Sequence, residues 1–362
     1  LKLSVVILNY NVRYFLELCL QSVEAALETI PSEIIVIDNN SKDGSCEMVK
    51  NKFPLITLIE NSSNIGFSKA NNQAVQVAKG EYVCILNPDT VVAEDTFKSV
   101  LNFADKQTNL GILGCRLIDG SGKYLPESKR NIPRVNIAIK KVLGNSKGYY
   151  AHHVKEFDVA KVDVLVGAFM LLKRVLYNSL GGFDEDYFMY GEDIDLSFKS
   201  LKNGNDNYYF GETSVIHYKG ESTRRNAIYL KRFYGAMQIF YQKHFKSNTF
   251  FDFMVSIAIK LLVRLKPFKQ QRPKIKYAPA LISTHPKQSL LTKMNPILIT
   301  SIDEVSSGYE FIFDASCVSF KSIIDQMQTS KSTPSSYKIQ PKNCNYILGS
   351  NSADSIGEVI QF

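Results

Sequence analysis

Through the first half of the chain, short and almost uniformly apolar runs alternate with segments whose apolar residues recur every three or four positions. A mostly parallel sheet with crossover helices requires this alternation. The run LSVVILNY is β-branched and has no polar face, which predicts a strand covered on both sides. A helical period follows from Tyr14 to Thr29, and EIIVIDNN predicts a second strand that ends at Asp38, Asn39 and Asn40. SKDGS is turn chemistry leading into another helix, and LITLIEN predicts a third strand. SKANNQAVQVAKG predicts a helix with Ser68 near its cap and Gly80 at its end, and EYVCILNPDT a fourth strand. Polar side chains thus gather where strands finish, at Asn9, at Asp38 to Asn40, and at Asn87 to Asp89. In open α/β sheets, ligands bind beyond those strand ends.

Further on, KVDVLVGAFMLLKR predicts one long strand or a pair, and YYFGETSVIHYKG one or two more. Between them, YGEDIDLSFKSLKNG spaces Ile194, Phe198 and Leu201 at helical intervals with Gly204 as a stop, so a helix begins near Asp193. Its first turn gathers Glu192, Asp193 and Asp195. Acids there complement a helix N-terminus at about 0.3–1 kcal/mol each, which accounts for one acid more readily than for three. Asp195 and Lys199 stand four apart, the spacing of a helical ion pair.

The pattern changes near Tyr229 and again near Pro279, dividing the chain into 1–228, 229–278 and 279–362. The middle segment opens on the aromatic helical run YLKRFYGAMQIFYQKHF. It continues as FFDFMVSIAIKLLVRLKPF, which Asp252, Lys260 and Arg264 interrupt too often for a membrane span. Its polar stripe and the basic residues beyond it fit a helix lying in a membrane interface, next to anionic headgroups, and an ordinary core-packing helix followed by a basic linker is the alternative. The last segment has strand-like PILITSI, YEFIFDAS, CNYILGSN and GEVIQF, helix-like FKSIIDQMQ and the polar loop TSKSTPSSY. A small α/β module of unread function is expected there.

Composition narrows the picture only a little. With 362 residues and an ordinary apolar share, the chain has enough material for at least one large core. The net charge of +8 does not by itself point to nucleic acid. Six scattered cysteines without CxxC pairs predict a reducing compartment and no zinc site. The opening LKLSVVILNY has no charged leader, so no secretory signal is expected.

Several residues have chemical potential that is weak when taken singly. Asp89, with Asn87 two residues before it, sits at a strand rim where oxygen ligands can help hold a hard divalent cation; Asn-Pro-Asp is also a common turn. Asp38 can accept hydrogen bonds from a ribose or a base, and Asp-Asn-Asn is equally good turn sequence. His217 alone reads as a half-buried strand histidine.

In order along the chain, SVVILNYN, VIDNNSKDGS, NIGFSKANNQA, ILNPDT, GGFDEDYFMYGEDIDLSFK and VIHYKGES together resemble family 2 of the glycosyltransferases, and within it bacterial rhamnosyltransferase-type enzymes. The resemblance covers about Leu1 to Arg225. It implies the GT-A fold, Rossmann-like with a mostly parallel central sheet and helices on both faces, followed here by the C-terminal α/β module. It further implies that Asp38, Asn9, Tyr10, Asn11 and Asn40 line a nucleotide pocket. Asn64, Gly66, Asn71 and Asn72 would close over that pocket, and Asn87 and Asp89 would occupy the family's Asp-x-Asp metal motif. Asn87 departs from that motif by one negative charge, so a divalent cation, Mg²⁺ or Mn²⁺, would lean on Asp89 and His217. By the same resemblance Asp193 is the catalytic base and Glu192 binds the acceptor hydroxyl. A single base without a covalent nucleophile implies inversion.

The implied partners are a nucleotide-diphosphate sugar, with dTDP-rhamnose the first to consider, and a lipid-linked or polysaccharide acceptor in cell-surface glycan synthesis. The implied place is the cytoplasmic face of the plasma membrane, with peripheral contact and no nucleic acid. The alternatives are another donor such as a UDP-hexose, or a sugar-nucleotide-binding scaffold with a degenerate site. A nucleotidyltransferase is a poorer fit, because NYNVRYF follows the first strand where a glycine-rich, lysine-bearing loop would be needed.

Overall fold

The computed structural model of the chain describes residues 1–134, 137, 147–220, 227–245, 277–302, 308–329, 335–352 and 356–362. The 250–276 stretch read above as an interfacial helix lies outside them.

The first sheet is built from β1 (Leu3–Asn9), β2 (Ser32–Asp38), β3 (Thr57–Glu60), β4 (Tyr82–Leu86), β5 (Thr90–Val91), β6 (Leu110–Ile118), β7 (Val159–Lys161), β8 (Phe169–Lys173) and β9 (Asp206–His217). The helices among and after them are α1 (Arg13–Leu27), α2 (Ser45–Lys52), α3 (Phe67–Val77), α4 (Thr96–Ala104), α5 (Arg174–Ser179), α6 (Glu192–Lys202) and α7 (Ala227–His244). The strand order is β3-β2-β1-β4-β8-β6-β9-β5, with β7 also on β9. Strands β1 to β4, β6 and β9 run one way, and β5, β7 and β8 run against them. The central sheet is therefore mostly parallel. Uniform apolarity has the expected consequence: every residue of β1, β4 and β6 is buried.

One apolar cluster packs Leu16, Cys19, Leu20 and Val23 of α1 and Phe97, Val100 and Leu101 of α4 on one face of the sheet. A second places Ala70, Ala74 and Val75 of α3 and Leu196 of α6 on the other. The connection from β1 to β2 and β3 runs to one side of β1, and the chain then crosses to β4 on its other side. The carboxyl ends of β1 and β4 thus flank a topological switch point, and Asn9 and Asn87 stand at its two rims.

The expected helix with three acids in its first turn is α6, and the Asp195–Lys199 pair closes at 3.1 Å. His244 of α7 adds a second contact to the buried Asp195 at 2.5 Å. Phe198 meets Phe240 and His244 edge-on, which docks α7 against α6.

The second sheet contains β10 (Ala278–Ile282), β11 (Ile297–Ile299), β12 (Tyr309–Asp314), β13 (Ser336–Gln340), β14 (Tyr346–Gly349) and β15 (Glu358–Gln361), with helices α8 (Gln288–Met294) and α9 (Phe320–Thr329). Its order is β11-β10-β12-β13-β14-β15, parallel from β11 to β13 and antiparallel beyond. It does not stand apart from the first. Val12, Phe15 and Leu18 of α1, with Val91, Ile216 and Tyr218, share one core with Phe311, Phe313, Phe320, Ile323 and Met327. Helix α9 is held near both ends: the Phe320 and Lys321 amides donate to the Glu94 carboxylate at 2.7 and 2.8 Å, and Gln328 bonds Arg116 and Ser214.

Candidate functional site

At the end of β1, Asn9 is fully buried and its Nδ2 donates to Asp38 Oδ1 at 2.7 Å and to Ser41 Oγ at 3.1 Å. The Ser41 amide donates to the other Asp38 oxygen at 2.7 Å. Asp38 is thereby fixed at the rim, with parallel register setting it level with Asn9. Asn9 Oδ1 is buried without a partner among the described residues, an acceptor left over on the crevice side of this network. Asn11 and Asn40 both take the left-handed conformation, at φ 55° and 64°, which asparagine tolerates better than most side chains. Asn39 carries the network on, donating to Asn64 Oδ1 at 3.3 Å and to the Gly66 carbonyl at 3.2 Å. Gly66 has φ 91°, and a Cβ there would come within 2.8 Å of Phe188, so only glycine lets the 183–190 loop close on the start of α3.

Beyond β4 a second group forms. His217, at the end of β9, brings Nε2 to 3.4 Å from Asp89 Oδ1 and 3.3 Å from Asn87 Nδ2. The Asn87 carbonyl accepts the Thr90 hydroxyl at 2.7 Å, and the Tyr218 amide donates to the Asp89 carbonyl at 3.0 Å, so antiparallel pairing of β5 with β9 holds both residues. Asp89 and His217 are both buried. One carboxylate and one imidazole converging this closely suit a divalent cation that takes its remaining ligands from a diphosphate. Among the described residues no third histidine, cysteine or acid joins them. Glu127 and Lys219 stand beside this group as an ion pair. Burial would raise the Glu127 carboxyl, but the Lys219 ammonium outweighs it and holds it below the ordinary range.

The third group is the start of α6, entered through Tyr190 and Gly191 at φ 71° and 85°. Asp193 is buried and both its carboxylate oxygens are engaged: Oδ2 accepts from Arg130 at 2.6 Å and from the Gly167 amide at 3.1 Å, and Oδ1 from the Ile194 amide at 2.8 Å. The guanidinium makes this an ion pair away from water. Glu192 is the opposite case. It is buried, its Oε2 has no partner among the described residues, and burial followed by the charge of Asp193 pushes its pKa up to about 8. Of these two adjacent carboxyls, Glu192 therefore keeps its proton at neutral pH, while Asp193 faces the Arg130 guanidinium.

The segment 167–168 joins the groups. The Asn87 amide donates to the Ala168 carbonyl at 3.1 Å while the Gly167 amide reaches Asp193. The Asn87–Asp89 turn and Asp193 thus lie on the two sides of one dipeptide, and Asp38 lies two strand spacings from β4, about 10 Å. Asn72 is engaged differently: it bonds the Phe183 carbonyl, Glu185 and Tyr177, tying the 183–190 loop to α3. Asn71 donates to the Phe67 carbonyl at 2.9 Å and leaves its own oxygen buried without a partner among the described residues. Arg130, Gly167, Glu127 and Lys219 belong to the site, yet nothing local in the sequence marks them.

Residues 4–181 match the family model described as Glycosyl transferase family 2. The chain is 27% identical over 241 residues to N-acetylglucosaminyl-diphospho-decaprenol L-rhamnosyltransferase of Mycobacterium tuberculosis, covering 62% of this chain and 78% of that protein. It is 24% identical over 313 residues to poly(ribitol-phosphate) beta-glucosyltransferase of Bacillus spizizenii, covering 80% of this chain and 46% of that one. Among solved structures, the mannosyltransferase PcManGT from Pyrobaculum calidifontis, in complex with GDP-Man and Mn²⁺, superposes with a TM-score of 0.49 at 21% identity, over 73% of this chain and 70% of that one.

Proposed function

Because the chain belongs to glycosyl transferase family 2 through residues 4–181, we propose that it moves a sugar from a nucleoside-diphosphate donor to a hydroxyl of a lipid-linked or polysaccharide acceptor in cell-surface glycan synthesis. The observation that carries this reading is the meeting of three groups at one sheet end: Asn9 with Asp38, Asp89 with His217, and Asp193 with Arg130. In it, Asp38 and the Asn9 carboxamide take the base and ribose, with Tyr10, Asn11, Asn40, Asn64, Gly66, Asn71 and Asn87 around the nucleotide.

Asp89 and His217 would hold a divalent cation, Mg²⁺ or Mn²⁺, whose charge offsets that gathering on the departing diphosphate. Asp193 receives the proton of the acceptor hydroxyl as its oxygen bonds the anomeric carbon and the bond to the diphosphate breaks. Arg130 and the Gly167 amide fix that carboxylate in place. Glu192, neutral at pH 7, donates a hydrogen bond to the acceptor. No second carboxylate is assigned to attack the sugar, so the displacement is single and inverts the anomeric centre. L-rhamnose is favoured as the donor sugar by the mycobacterial relative, and a UDP-hexose is the second reading, supported by the glucosyltransferase relative. The decaprenol-linked substrate in the first relative's name supports a lipid-linked acceptor, and with it work at the inner membrane face. In this reading contact with the membrane is peripheral; among the described residues no helix is long and apolar enough to cross one.

Incubating the full chain with a panel of nucleotide sugars and lipid-linked saccharides, with Mn²⁺, Mg²⁺ or chelator, tests this directly. Metal-dependent release of the nucleoside diphosphate from one donor, with inverted product stereochemistry by NMR, is expected. Nucleotide binding without turnover of any donor would leave only a binding scaffold.

A further inference from the structure

The second sheet has a switch point of its own. The chain passes from β10 to β11 on one side and returns to β12 on the other, which opens a crevice beyond the carboxyl ends of β10 and β12, where ligands of open α/β sheets bind. An open cavity of about 370 Å³ lies there, within the size range of ligand sites. Its walls carry the hydroxyls of Ser283, Thr284, Thr300, Ser301, Ser319 and Ser322, and no described lining residue is charged. Ser283 Oγ donates to the buried Asp314 carboxylate at 2.8 Å, which ties the ends of β10 and β12 together beneath the crevice.

A phosphate group does not suit this place. The turn after β10, STHPKQ, has no glycine to bring backbone amides close to a diphosphate. The helix N-terminus that would ordinarily receive an anion already holds one, the Glu94 carboxylate on the Phe320 and Lys321 amides, and the Ser322 amide is taken by Ser319 Oγ at 3.1 Å. What remains are hydroxyls: Ser283 and Ser319 already donate and accept within the protein, and those of Thr284, Thr300 and Ser322 match the hydroxyls of a saccharide.

We propose that this crevice is a second ligand site, for a neutral saccharide, and that its occupant is a non-reacting part of the acceptor glycan. The identity of the occupant rests on the transfer reaction proposed above; the site itself does not. Its place supports the assignment. Ser319 precedes Phe320, whose amide Glu94 holds, and Glu94 lies five residues beyond Asp89, with the short strand β5 between them. An acceptor held there spans from the crevice towards the reacting centre, so that remote binding contributes to positioning its hydroxyl.

The test uses the full chain and ligand-observed NMR with cellobiose, maltose and N,N′-diacetylchitobiose, alongside inorganic phosphate and UDP. Binding of at least one disaccharide is expected, weakened tenfold or more in Thr300→Tyr, which fills the cavity from an exposed position, and in Ser322→Ala, which only removes a hydroxyl. UDP should bind both variants as it binds wild type. No disaccharide binding up to millimolar concentration, disaccharide binding indifferent to both substitutions, or displacement of the saccharide by phosphate would each overturn the proposal. Donor turnover by the wild-type chain is read separately, so a failure of the transfer reaction is not mistaken for a failure of the site.

Discussion

The two sheets solve the same topological problem and fill the result with different chemistry. In each, a strand at the switch point ends beside an aspartate whose oxygens are pinned by a neighbouring side chain and by an amide of its own turn: Asn9 and Ser41 on Asp38, Ser283 and Ser316 on Asp314. Above Asp38 the first crevice adds Asp89, His217, Glu192 and the Asp193–Arg130 pair. Above Asp314 the second adds, among the described residues, hydroxyls, the Cys317 thiol and a few apolar side chains. The shared backbone plan makes a cleft, and the side chains placed on it decide whether that cleft performs displacement chemistry or only holds a ligand.

If that contrast is right, matched substitutions separate the crevices. Asp193→Asn removes the proposed proton acceptor and is expected to lower kcat by about 10²–10⁴-fold, with nucleotide affinity retained by titration calorimetry. Asp314→Asn should leave kcat within a few fold at saturating acceptor. Equal loss from both would erase the distinction. Asp89→Ala comes next: loss of activity by about 10²-fold is expected, from a carboxylate that would otherwise bind a cation opposite developing phosphate charge. The thermal shift given by Mn²⁺ in wild type should vanish with it. A persisting shift would place the cation elsewhere.

Glu192 sharpens the comparison through pH. Its carboxyl, with a pKa raised from 4.5 to about 8 by burial and then by Asp193, holds its proton at neutral pH. Transfer should therefore fall as pH rises through about 8 and the donor to the acceptor hydroxyl is lost. Glu192→Gln, which cannot ionise, should keep most of the activity and flatten that limb. If it loses as much as Asp193→Asn, the two carboxyls have exchanged roles. The same shift has a stability sign. Between pH 4.5 and about 8 the unfolded chain releases a proton that the folded chain retains, so this residue makes the fold less stable as pH rises through that window. Urea midpoints for wild type and Glu192→Gln should diverge there.

How much of this was legible depends on the range of the interaction. The ends of β1, β2 and β4 announce themselves because β-branched runs stop abruptly in Asn and Asp, and GED stands out because three acids crowd one helical turn. Arg130 leaves no such trace. It pairs with Asp193 across 63 residues, and no local period marks a partner that distant. Strand β6 is fully buried, yet Gly111 and Gly114 break its pattern; a Cβ at Gly111 would meet Ser200 and Asn207 at 2.4 and 2.5 Å, so close packing there demands the residue that weakens the strand signal. Strand β13 reads as polar because Lys338 and Gln340 lie within it. Both are buried, and Lys338 is matched by Glu310 at 2.9 Å and Glu358 at 3.2 Å from other strands of the sheet. Tertiary pairing supplies what composition denies. The second crevice was illegible for the same reason: serines and threonines in the turns after β10 and β11 and around the start of α9 have no motif until the strand order brings them together.

The smallest expected effect concerns how the two regions are joined. Glu94 gives both carboxylate oxygens to the first amides of α9, and the neighbouring Asp95 pairs with Lys321. The Lys321 pair is exposed and contributes little, since water and salt screen it. The Glu94 contact is charge-assisted and partly buried, so Glu94→Ala should cost about 1–3 kcal/mol in urea unfolding, while Asp95→Ala stays within experimental error. Because Phe320, Ile323 and Met327 of α9 share a core with Val91, Ile216 and Tyr218, that loss should appear as one cooperative transition shifted to lower urea, read identically by fluorescence and circular dichroism. Two separate transitions would mean that the shared core contributes less than the clasp. Val91 and Tyr218 flank Asp89 and His217 in the antiparallel β5–β9 register, so in the single-transition case Glu94→Ala should also weaken the Mn²⁺ response by a few fold, less than Asp89→Ala does.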